Sequence, residues 1–249
     1  MFEWDITTIT IVIAATAFLT SMLTAFIGAG GGTALLLVML FCLPAGQVIP
    51  IHGCIQLASN TSRIALFWHY MQWQIILRFI ALMPVGVYIG LQLYGMLSPS
   101  GIQITIAMGI LATLFIKAPK RSSETRLPKP LYFIIGLFIG AGNVLVGTLA
   151  PLLGAILRLE PISKEERVAS LGFFGFAGNV FKIAGFTFVG APFLDYWPLI
   201  LAASVATIFG NMAGKRLLGK ITQVTFDKAF KIMLAVMALM LIYEGLGSH

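Results

Sequence analysis

The feature that most constrains this chain is a succession of long apolar runs, with nearly every charge confined to the gaps between them. Runs near 50–69, 74–96 and 102–117, then near 166–189, 196–218 and 226–246, are each about the length a helix needs to cross a bilayer. Two further apolar stretches, 6–43 and 131–157, precede these trios, and both are interrupted by glycine. Backbone in lipid must satisfy its own hydrogen bonds, so such segments are expected to be helical. Hydrophobic residues make up 59% of the chain and charged ones 10%, too little charge to cover a soluble domain. An all-α, polytopic membrane protein follows.

The runs repeat. Phe26-Ile27-Gly28-Ala29-Gly30 recurs as Phe138-Ile139-Gly140-Ala141-Gly142, 112 residues later. Asn60 with Arg63 recurs as Asn179 with Lys182, 119 residues later. Gly86 and Gly90 are echoed by Gly210 and Gly214, and Leu97-Ser98 by Ile221-Thr222. The shared order predicts a duplication: a first membrane repeat over 1–116, a basic linker over 117–130 and a second repeat over 131–249.

Charge sets the topology. If each glycine-broken stretch turns back at its break, all 16 Lys and Arg except Arg63 and Lys182 fall on one side of the membrane. If each crosses once, the basic residues of the second half, other than Lys182, end up on the opposite side. The positive-inside rule selects the first arrangement. It puts the linker in the cytoplasm and both termini outside, with an odd number of crossings per half. The halves are then inverted relative to each other, each a glycine-broken hairpin (re-entrant or half-helical) plus three transmembrane helices, as in many secondary transporters. Two short crossings at 6–43 would give the same parity as a re-entrant hairpin. The net charge of +7 is thus topological, and no nucleic-acid partner is expected. The N-terminus, Met1-Phe2-Glu3-Trp4-Asp5, lacks the basic region of a cleavable signal, so the first apolar run is expected to stay.

Two constellations carry the chemistry. The first is Gly28-Ala29-Gly30-Gly31-Gly32-Thr33, where a helix starting at Thr33 would aim its N-terminal donors into the break, an anion-favouring arrangement. Its second copy reads from Gly140 to Gly147 and offers Gly142 and the amide of Asn143. The second is a polar helix face: His52, Gln56, Ser59, Asn60 and Arg63, matched by Gly172, Gly175, Gly178, Asn179 and Lys182. Ionisable residues at membrane depth are costly and mark pathways, although both cations could also snorkel to the nearer interface. His52 has no counterpart, because Leu171 occupies the matching place. It is a proton-coupling candidate or an interfacial residue. Trp68, His69, Trp73, Tyr196 and Trp197 are expected at the interfaces. Cys42 and Cys54, with no CxxC spacing, read as packing residues, and no metal cluster or cofactor is expected.

At these residues the chain resembles the TauE/SafE sulfite-exporter family of membrane proteins. The resemblance rests on the glycine break at Gly28–Gly32, the second-half segment running into Ala150-Pro151-Leu152-Leu153, and the duplicated architecture. It covers nearly the whole chain. Asn143 stands where the family has more glycine, and the first break lacks the downstream proline. The resemblance implies export of sulfite or a small organosulfonate.

The resulting expectation is a secondary transporter for a small anion in a bacterial inner membrane, working by alternating access. Gly30, Gly31, Gly32, Thr33, Gly142 and Asn143 would supply donors at the breaks. Gln56, Asn60 and Asn179 would add hydrogen bonds, with Arg63 and Lys182 supplying compensating charge. Its partners would be that anion and the lipid bilayer. An anion channel uses the same donors without closure. No GxxxxGK[ST], HExxH or GxSxG motif occurs, which argues against ATP hydrolysis and an intramembrane enzyme. A scaffold subunit would tolerate alanine at both cations.

Overall fold

The computed structural model describes residues 5–27, 30–114, 127–217 and 223–247. These form eleven α-helices in the order α1 (Ile6–Ile27), α2 (Gly31–Cys42), α3 (Ala45–Phe67), α4 (Trp73–Ala81), α5 (Met83–Gly95), α6 (Pro99–Leu114), α7 (Lys129–Leu145), α8 (Ala150–Leu157), α9 (Lys164–Phe188), α10 (Trp197–Leu217) and α11 (Gln223–Gly247). There is no strand among the described residues. The expected linker lies mostly outside them, as do Gly28 and Ala29 of the first break.

The distribution of polarity is inverted relative to a soluble protein. Phe138, Phe188, Phe209, Ile11, Leu77 and Tyr88 point outward and are more than half exposed, whereas His52, Gln56, Asn60, Arg63, Asn179, Lys182 and Asn211 are buried. Helices whose outward face is apolar and whose polar groups turn inward are stable only where lipid replaces water. α1, α9 and the segment Phe193–Arg216 are each long and apolar enough to cross a bilayer. α3 has 23 residues, with its polar groups gathered on the inward side. The protein is a multi-pass membrane protein.

Helix ends follow local chemistry. Asp5 accepts from the backbone of Thr7 and Thr8 and from the Thr8 hydroxyl at the start of α1, and the Thr8 hydroxyl holds its carboxyl below the usual range. Ser163 and Glu166 form a reciprocal capping box on α9, and Gln72 donates to Glu166 across to the start of α4. Trp68, Trp73 and Phe173 stack edge to face at this end of the bundle. Lys215 reaches the carbonyl of Leu66 at the end of α3, where a cation suits the helix dipole.

Three sequence expectations need revision. The run 74–96 is not one straight helix: α4 and α5 meet at a 40° bend around Leu82. Pro84 lies one residue into α5, where it lacks a donor and its ring crowds the preceding turn. The broken stretches have arms of unequal length, with α1 about 33 Å long and packed against an α2 of about 18 Å, and α7 about 26 Å and α8 about 12 Å. Only the first arm of the first stretch is of full crossing length. The second break, expected over Gly140–Gly147, is confined to the end of that stretch: Gly140–Gly142 lie inside α7, and the chain breaks at Val146–Leu149.

Packing joins distant parts of the chain. α1 lies along α10, α7 along α4 and α5, α3 along α9, and α6 along α11. A methyl group on Gly210 would lie 2.3 Å from the carbonyl oxygen of Phe18, and one on Gly214 2.2 Å from that of Met22. The equivalent distances are 2.0 Å from Gly86 to Leu137 and 2.7 Å from Gly90 to Ala141. In both pairs the helices touch backbone to backbone through a small-xxx-small stripe and run in the same direction.

Candidate functional site

α3 and α9 cross antiparallel at the middle of the bundle, and glycines on each make room for polar side chains on the other. Gly172 of α9 faces the Arg63 stem, and a methyl there would sit 3.4 Å from Cδ. At Gly175 the methyl would lie 2.5 Å from Asn60 Nδ2, and at Gly178 2.8 Å from Nδ2 of Asn143 on α7. Gly53 of α3 faces Lys182, 3.0 Å from Cε. The glycines of α9 are therefore seats for Arg63, Asn60 and Asn143, and not polar-face residues in their own right.

The two breaks converge on this crossing. Gly30 has φ 102° and Gly147 φ 80°, conformations open to glycine at little cost. Between the breaks lies a cavity of about 60 Å³. Gly30, Gly32, His52, Gln56, Asn60 and Arg63 line it from the first half of the sequence, and Asn143, Gly147, Thr148 and Asn179 from the second. Thr24 of α1 and the apolar Ile139, Leu153 and Phe174 complete the wall.

Four sequence candidates lie off that wall. α2 begins at Gly31, two residues earlier than expected, so the Thr33 N–H is spent on the Gly30 carbonyl and the Thr33 side chain is buried beside the cavity. Gly31 is a packing residue: a methyl there would lie 1.9 Å from the Thr20 carbonyl oxygen and 2.0 Å from Thr24 Oγ1. Gly142 is within α7, where its N–H belongs to the helix ladder and its carbonyl accepts from Val146. Lys182 is fully buried, and its Nζ donates to the Gly147 carbonyl at 3.1 Å. It grips the second break from behind, and it does not snorkel.

Arg63 is 3% exposed and its Nε is buried without a hydrogen-bond partner. Among the described residues no carboxylate pairs with it; Glu160, the buried acid, is taken up by the Leu127 N–H and the Tyr132 hydroxyl. His52 Nε2 lies 2.9 Å from the Gly32 carbonyl oxygen. The wall thus combines a buried guanidinium with three side-chain amides from opposing helices, Gln56 adding a fourth. The guanidinium's full positive charge, with amide N–H groups around it, lets such a surface stabilise negative charge.

Residues 13–241 match the family described as sulfite exporter TauE/SafE. The chain belongs to that family. Its members are transporters, so this TauE/SafE chain is a transporter of the sulfite-exporter type and not an enzyme. No curated protein and no solved structure matches it.

Sequence reading missed several residues of this TauE/SafE site. Thr24 and Thr148 lie on the wall, and neither belongs to a recognisable motif. Asn211 of α10 donates to the Ser59 carbonyl at 2.8 Å and to Ser62 Oγ at 2.7 Å, and Ser59 Oγ lies 3.3 Å from Ser21 Oγ. This buried network ties α1, α3 and α10 together behind Asn60. The adjacency of Asn211 to Gly210 on a packing stripe was the available signal.

Proposed function

We propose that this TauE/SafE chain carries a small anion, such as sulfite or an organosulfonate, outward across a bacterial inner membrane by alternating access between two inverted repeats. The observation that carries the reading is Arg63: a buried guanidinium with an unpartnered Nε, on the wall of a cavity ringed by amides. Leaving such a cation uncompensated costs several kcal/mol, and a bound anion is the group that offsets it. A cavity of about 60 Å³ gives room for roughly four to six water-sized groups, the size of a sulfur oxyanion.

The repeat reading is supported by contacts that exchange under one offset of 119 residues. Arg63 against Gly172 becomes Lys182 against Gly53, and α2 and α3, starting at Gly31 and Ala45, become α8 and α9, starting at Ala150 and Lys164. Gly86 and Gly90 of α5 meet Leu137 and Ala141 of α7 as Gly210 and Gly214 of α10 meet Phe18 and Met22 of α1; the α7 and α1 positions keep the offset of 119, and the glycines are offset by 124. Opposite membrane orientation of the two copies agrees with the antiparallel crossing of α3 and α9 and with the placement of the basic residues.

The test is flux in proteoliposomes of purified protein, with sulfite, thiosulfate, short sulfonates and carboxylates offered in turn. Saturable flux and trans-stimulated counterflow of a sulfur oxyanion are expected. Non-saturating flux without counterflow would make the protein a channel, and no anion flux above empty liposomes would defeat the proposal.

A further inference from the structure

His52 places an unpartnered ring nitrogen among the groups of the cavity wall. Its Nε2 faces the Gly32 carbonyl, which can only accept, so Nε2 carries the hydrogen, and in that tautomer Nδ1 is an acceptor. His52 is 1% exposed and lines the cavity, and Nδ1 is buried with no hydrogen-bond partner. A buried acceptor in that state calls for a donor. The packed elements bring few groups that bear on it. Lys182 from α9 is the nearby cation and is engaged with the Gly147 carbonyl; α3 itself adds Cys54 and Arg63. α1, α2 and α8 contribute no charged group, and the titratable Cys42 is at the far end of α2.

We propose that the site selects an anion that brings its own hydrogen-bond donor, with one proton shared between an anion oxygen and Nδ1 of His52. Resting on the anion-transport reading, this narrows the substrate class to hydrogen-bearing monoanions: hydrogensulfite in place of the sulfite dianion, and hydroxylated in place of plain alkyl sulfonates. Arg63 compensates one negative charge, and His52 takes the hydrogen that distinguishes the monoanion from the dianion. The Gly32 carbonyl fixes the ring, making His52 a specificity residue as well as a wall residue.

The experiment compares hydroxymethanesulfonate with ethanesulfonate, which has the same shape with a methyl in place of the hydroxyl. Binding is measured calorimetrically on the full chain in detergent. The wild type should bind the hydroxylated anion about tenfold or more tightly. His52→Phe, which keeps the bulk of the ring but puts no acceptor in place of Nδ1, should lose that preference and bind the two anions alike. In a second arm, wild-type affinity for total sulfite should fall about tenfold per pH unit above the pH at which hydrogensulfite loses its proton, and His52→Phe should flatten that slope. Equal affinities of the wild type for the two sulfonates would overturn the proposal even if His52→Phe failed to fold. So would a variant that kept the wild-type preference and slope. If the wild type binds none of these anions, the anion-transport reading itself falls.

Discussion

Removing the charge of Arg63 while keeping its hydrogen-bonding character is the most direct probe of the cavity. Arg63→Gln leaves an amide facing Gly172 and deletes the guanidinium that is 3% exposed on the wall. Losing one charge-assisted hydrogen bond to a bound anion costs about 2 kcal/mol, or roughly thirtyfold in Kd. The loss can be read without a transport assay, because a ligand that binds only the folded state stabilises it by mass action. At an anion concentration about 100 times the wild-type Kd, the wild type gains about 2.7 kcal/mol. The same concentration is only about three times the variant's Kd and adds about 0.9 kcal/mol. Thermal unfolding in detergent, with and without sulfite, should therefore show a variant shift about one third that of the wild type, with Arg63→Lys in between. An undiminished anion-dependent shift in Arg63→Gln would mean that the guanidinium is not part of the binding site.

Neighbouring glycines of the first break should behave differently. Gly31→Ala drives a methyl into the Thr20 backbone and should cost about 1–3 kcal/mol or more in stability, whereas Gly32→Ala meets only the end of Gln56 at 3.0 Å and should fold normally while weakening anion binding, as unfolding and calorimetry would reveal. Lys182→Met strands the Gly147 carbonyl, so thermal stability should fall by about 1–3 kcal/mol, with anion affinity changing less than in Arg63→Gln. Sidedness is testable after Cys42 and Cys54 are replaced: a cysteine at Leu194 should react with an impermeant thiol reagent from outside and one at His69 only from inside, and equal reactivity would refute the topology.

The apolar helices and their approximate bounds were legible in the sequence, because apolar length and charge placement are set by the bilayer itself. So was the polar face of α3, since His52, Gln56, Asn60 and Arg63 follow helical spacing onto one wall. The second break was started too early, at Gly140, by identity matching. Phe138–Gly142 copies Phe26–Gly30 letter for letter, yet lies seven residues from the position implied by the offset of Asn60 to Asn179. Seven residues are two helical turns, so the slipped copy keeps the same face toward the core, and only the disagreement between the two offsets exposes the error. Gly31 and Lys182 were assigned to the ligand because composition does not distinguish a glycine that admits substrate from one that admits a neighbouring backbone. Nor does it distinguish a cation on a wall from one behind it. Those distinctions depend on which carbonyl lies opposite, which only the assembled helices reveal.

The glycine stripes also determine which parts can move together. Where Gly210 and Gly214 meet the carbonyls of Phe18 and Met22, no side chain intervenes to re-rotamer and absorb a displacement, and the same is true of Gly86 and Gly90 against α7. Each seam is stiff to sliding, so α1 travels with α10 and α7 with the bent α4–α5 rod. If the protein rocks as proposed, each rigid body would join helices from different halves of the chain, and the hinge surface would run between these pairs, through the α3–α9 contact where Asn60 rests on Gly175.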